Sequence, residues 1–143
     1  MSKIQNTLDC FNNGFNCSQS VLSTYCDSFG LDRETALRLA CGLGAGMGRL
    51  GETCGAVSAA YLLIGLKHGE NKEKTYAMIQ NFSRKFTDKN KSTICKKLLG
   101  VDLLSDEKSL ATGRVQSICP SLVCDAAEII EELFEIKGLE DLT

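Results

Sequence analysis

The sequence predicts an all-α fold, a single-domain bundle of about six to seven helices over residues 1–143. Three observations predict it. Apolar residues recur at helical spacing along nearly the whole chain, and no run alternates with the period of a strand. Capping residues and glycines stand where helices would start and stop. With 143 residues, 43% of them hydrophobic, and one proline, the chain is sized for one core and offers no linker at which to divide it.

The first helix is expected over roughly Lys3 to Phe11, stopping at Asn12-Asn13-Gly14. Asn16 caps a second, whose apolar positions Val21, Leu22, Tyr25 and Phe29 lead to a stop at Gly30. Asp32 and Glu34 open a third, with Leu37, Leu39, Ala40 and Leu43 inward, which dissolves into the glycine-rich run from Gly42 to Gly48. A fourth runs from a Thr53 cap to His68 and is closed by Gly69. The fifth starts at Asn71 and continues through Tyr76, Ile79, Phe82 and Phe86, and Ser92 caps a short sixth ended by Gly100. After a loop and a turn near Glu107, Cys119-Pro120 opens the last helix, proline being favoured in a first turn. Leu122, Ala126, Ile129, Ile130 and Leu133 form its core face, and Asp125, Glu128, Glu131, Glu132 and Glu135 its solvated face.

A formal charge of −2 gives no electrostatic argument for a nucleic-acid partner. The N-terminus lacks the apolar core of a signal peptide, and Ala56 to Leu66 is too short for membrane insertion, which takes ~20 residues. A cytoplasmic protein is expected. Eight cysteines are then dense, because structural disulfides are rare in a reducing compartment and metal or redox use is commoner.

Four of the eight, Cys17, Cys54, Cys95 and Cys119, fall in the expected first turns of four different helices. Unpaired N–H groups and the helix dipole favour a thiolate there, and a thiolate is both nucleophile and soft-metal ligand. Cys10, Cys26, Cys41 and Cys124 sit deeper in helices and read as small core residues. No CxxC occurs, so any centre must be assembled by the fold rather than by a local knuckle.

These segments carry a resemblance. GFNCSQSVL, GAGMGRLGETCGAVSAAYLLIG, ICKKLLGVDL and CPSLVCDAAEIIEEL resemble the redox-active family named for its C-GCAxxG-C-C cysteine pattern. The resemblance implies that Cys17, Cys54, Cys95 and Cys119 are the shared cysteines and that their use is redox. A similar module in split-Soret cytochromes is associated with an iron–sulfur centre.

The glycine run contains a literal GxGxxG, Gly46 to Gly51, but no strand precedes it, so as a dinucleotide-binding signal it is weak. Its glycines allow tight turning, and Gly48, Arg49 and Gly51 are candidates for an anion or cluster nest beside Cys54. His68 reads as a helix-end residue. Lys67 to Lys97 holds nine basic residues against three acidic, which an acidic final helix would complement.

The expected function is cysteine-based electron transfer or thiol–disulfide exchange, with Cys54 the most activated thiol and an unknown redox partner. The alternative is a non-catalytic module in which the same four cysteines hold an iron–sulfur cluster, with zinc second to it, shared in one version across a homodimer.

Overall fold

The computed structural model describes residues 2–134, and among them the fold is all-α. The helices are α1 (Ile4–Asn12), α2 (Cys17–Tyr25), α3 (Arg33–Cys41), α4 (Gly44–Met47), α5 (Gly55–His68), α6 (Lys72–Asn90), α7 (Cys95–Leu99) and α8 (Lys108–Leu133). A 3₁₀ turn, Cys26–Phe29, extends α2 to Gly30, which takes the left-handed conformation and ends it. Glu135 lies outside the described residues.

Helix α2 is the centre of the packing, against α5, α3, α1 and α8. Its contact with α5 is built from small residues. Gly55 lies against Cys17 Sγ, and the buried residues of the two helices include Gly55, Ala56, Ala59 and Ala60 on α5 and Cys17, Ser20 and Val21 on α2. Around this seam the core is filled by Tyr25, Leu22, Leu63, Ile64, Phe82 and Phe86, all fully buried. Hydrophobic burial of this kind is the main favourable contribution to folding.

The first turn of α2 also ties down the end of α3. Asn16 forms a capping box with Gln19, and its amide donates to the Cys41 carbonyl at 2.9 Å. Gln19 donates to the Leu37 carbonyl at 3.0 Å, and the Ser18 hydroxyl lies 2.6 Å from the Ala40 carbonyl. Side chains of one helix start thus satisfy the orphan carbonyls of another helix end.

Several expectations are corrected: Leu39, expected inward on α3, is exposed, and so is Cys41, expected as a small core residue. Cys119-Pro120 does not open the last helix, because α8 begins at Lys108 and carries Pro120 inside it. Ala111, Val115, Ile118 and Leu122 form one continuous stripe at helical spacing, and its burial outweighs the roughly 3 kcal/mol that an internal proline costs. Glu131 is not on the solvated face. It is buried, accepting from the Tyr25 hydroxyl and from the Lys3 backbone N–H at 2.8 Å. The complementary charge expected between the basic stretch and α8 is formed, by Lys85–Glu132, Lys89–Asp125 and Lys89–Glu128. These pairs are partly exposed and contribute little stability.

Ser58, on α5, is the one buried side-chain polar atom without a hydrogen-bond partner among the described residues. A buried hydroxyl in that state costs about 1–3 kcal/mol of desolvation. Ser58→Ala is therefore expected to raise the urea midpoint, by up to about 1 kcal/mol of stability. A lowered midpoint would show that the hydroxyl is satisfied.

Candidate functional site

The site is assembled at a seam between two apolar clusters. Cys17 and Cys54 belong to the main core, while Cys95 and Cys119 belong to a smaller one with Leu99, Val101 and Ala111. Between the two lies a partly enclosed cavity of about 220 Å³ whose wall includes all four cysteines. Phe11, Phe15, Leu98, Leu99 and Leu122 make much of the rest, so the wall is predominantly apolar.

Each cysteine is delivered by a different helix. Cys17 is the first residue of α2, directly after the Asn16 cap. Cys54 is itself the N-cap of α5, one position from the expected place, and Thr53 instead forms a lone antiparallel bridge with Ile94. Cys95 is the first residue of α7 after an Ile94 cap, while the Ser92 hydroxyl accepts from the Ile94 N–H. Cys119 comes from the middle of α8, not from a helix start. The segments carrying Cys54 and Cys95 are laced together, Cys54 N donating to the Thr93 carbonyl and Cys95 N to the Glu52 carbonyl, both at 2.7 Å.

Convergence depends on missing side chains. A Cβ at Gly55 would stand 2.5 Å from Cys17 Sγ and 3.0 Å from the Leu43 carbonyl oxygen. A Cβ at Gly46 would stand 2.7 Å from both Cys95 Cβ and the Glu52 backbone nitrogen, at φ +65°. Gly46 belongs to a left-handed turn in which Ala45, Met47 and Arg49 also have positive φ. Left-handed backbone costs an L-residue roughly 1–2 kcal/mol, and such strain persists only where the surroundings over-determine it.

Burial governs the electrostatics. It pushes the Cys95 thiol up to about 11 and the Cys119 thiol up to about 12, and negative charge on Cys17 opposes both ionisations further. Cys54 is raised as well, first by burial and then by charge on Cys17, with the Val57 and Ala56 N–H groups opposing weakly. The expected helix-start activation of Cys54 is therefore overridden by desolvation. Cys17 is the neighbour that Cys54, Cys95 and Cys119 share as a cause of their raised values.

The remaining candidates fall elsewhere. Arg49 and Gly48 are exposed, and the Gly48 N–H is already donated to the Gly44 carbonyl. Gly51 is buried against the Lys96 side chain. These three line no part of the thiol cavity, and Arg49 faces an adjoining groove. His68 ends α5 and packs edge-on against Phe134. Four thiols are chemically suited to zinc or an iron–sulfur centre. Among the described residues, however, no three Cys, His, Asp or Glu are arranged to hold a metal ion.

Leu103 and Val115, on either side of the α8 start, escaped the sequence reading as cavity residues. The signal was the Ala111–Val115–Ile118 stripe, masked by Gly113 and Pro120. No helix among the described residues is long and apolar enough to cross a membrane. The model of the family described as "Putative redox-active protein (C_GCAxxG_C_C)" matches residues 15–133. No curated protein and no solved structure gives a match.

Two outcomes follow from this geometry. Gly46→Ala combines a forbidden overlap with a left-handed φ and is expected to lose about 2–4 kcal/mol in denaturant unfolding. Wild-type midpoint and slope would contradict it. In the pH range between the ordinary thiol value of 9.0 and about 11–12, the unfolded chain binds fewer protons than the folded one. Stability is then unaffected by these groups below pH 9.0 and falls as pH rises through the window. Urea unfolding against pH should show this loss, with a shallower slope in Cys95→Ala/Cys119→Ala; equal slopes would contradict it.

Proposed function

The chain belongs to the C_GCAxxG_C_C redox-active family, and on that premise we propose that it cycles cavity cysteines between dithiol and disulfide, with Cys17 as the shared partner. The observation that carries this reading is the meeting of cysteines from four helices on one apolar cavity. The resident set is Cys17, Cys54, Cys95 and Cys119; Cys10, Cys41 and Cys124 line none of that cavity.

The exchange is a two-step substitution at sulfur. One cavity thiol releases its proton and attacks a sulfur of the partner's disulfide, forming a mixed disulfide and expelling one partner thiolate. A second cavity thiolate attacks the protein sulfur of that bond, forming the internal disulfide and releasing the other partner thiolate. Two electrons pass from the protein to the partner, and two protons leave the protein thiols. The reverse sequence delivers them back.

Raised thiol values set the pace. In an apolar wall the thiolate is scarce at neutral pH, so reaction accelerates with pH and is slow towards reagents that cannot enter. Burial raises Cys54, Cys95 and Cys119 alike, so each attacks faster as pH rises. Such thiol density fits a cytoplasmic protein kept reduced by its compartment.

Mild oxidation with diamide followed by peptide mapping tests the pairing. The expected product has one internal disulfide containing Cys17, joined to Cys54, Cys95 or Cys119, and Cys17→Ser abolishes it. A folded, oxidised protein that retains all four cavity thiols, or that pairs only Cys10, Cys41 or Cys124, would contradict the proposal.

A further inference from the structure

Resting on the thiol-exchange reading above, we infer that the partner is a small aliphatic disulfide bearing carboxylates, its sulfurs in the thiol cavity and its carboxylates on Arg49 and Lys108. Ala45, Leu103 and Val115 line both it and a second groove of about 620 Å³, so the two spaces are neighbours across three shared side chains. One space is apolar and holds thiols. The other holds the cations Arg49 and Lys108, with Thr112 and Gln116 as neutral polar groups.

Both cations are exposed, and neither forms an ion pair among the described residues. Asp106 is the acidic group of the groove and accepts from the Asp102 N–H at 2.7 Å, so two cations stand against one carboxylate and the groove is net positive. The left-handed turn explains why Arg49 is there. Arg49 holds φ +70° two residues after Met47 at +66°, in the same turn that carries Ala45 into the shared wall. Strained backbone thus sets a cation beside the thiol cavity, where function is a common reason for strain to be retained.

Small-molecule sites typically combine an apolar recess with a few placed polar groups. Here the recess accepts the C–S–S–C unit, and the two cations accept the charged ends. A carboxylate-bearing disulfide satisfies both parts, whereas a cationic one would meet like charge at Arg49 and Lys108. The reaction is the exchange already written: two cavity thiols become a disulfide, and the small disulfide leaves as two thiols.

The test uses the reduced full chain and three probes: dithiodiglycolate, a dianion; bis(2-hydroxyethyl) disulfide, neutral; and cystamine, a dication. Each rate of cavity-thiol loss, followed by mass spectrometry, is divided by that probe's rate with 3-mercapto-1-propanol, a neutral thiol that is the reduced form of none of the three. The expected order is dianion, neutral, dication, with the dianion at least tenfold ahead of the dication at low salt and the gap narrowing as salt rises. Arg49→Asn/Lys108→Gln should compress the three ratios towards one another, asparagine being tolerated at a left-handed position. Lys108→Glu alone, at an exposed helix start, should shift preference towards cystamine.

Equal normalised rates, or a dication that leads in the wild type, overturn the inference while leaving thiol exchange standing. Failure of every probe to oxidise a cavity thiol in the folded protein overturns the exchange reading itself, and the inference with it.

Discussion

Everything at the site depends on backbone meeting side chain where two glycines leave room. At Gly55 the start of α5 lies against Cys17 Sγ, and at Gly46 the left-handed turn lies against Cys95. Without those approaches α2, α5 and α7 would be held apart by ordinary side-chain thickness, and their thiols would open onto separate surfaces. The close approach is sustained from both sides. The capping box of Asn16 fixes α2 to the end of α3, and paired backbone bonds fix the Cys54 segment to the Cys95 segment.

Much of this was legible beforehand, and the reasons are physical. Periodicity and caps identify α1 to α3, α5 and α6 because those helices begin at Asn or Asp, end at Gly or bury a clear apolar face. Cys17 at a helix start was read from Asn16 itself. Helix α8 was cut short because Gly113 and Pro120 are local stop signals, whereas the apolar stripe that overrides them becomes decisive only against α7. Glu131 was read as solvated from its neighbours in sequence, yet its partner Tyr25 is 106 positions away. Helical spacing alone cannot supply a contact so distant.

Three of the four cysteines stand at helix starts, Cys17, Cys54 and Cys95, and the fold gathers all four for another reason. Cys119 arrives from mid-helix, on a stripe that packs the smaller cluster. Cys54 occupies a helix start, yet burial dominates its ionisation. Position near a dipole is a small, local effect; removal from water is a large one. The shared cavity is the stronger common property, and it arises from tertiary packing.

The central claim is that Cys17 has another cavity thiol within bridging distance in the reduced fold. Titration with phenylarsine oxide, which needs two adjacent thiols, tests this directly. The account predicts one equivalent bound by the folded, reduced protein, with the bound fraction sharply reduced by Cys17→Ser. Absence of binding in the wild type, or binding that Cys17→Ser leaves intact, would contradict it.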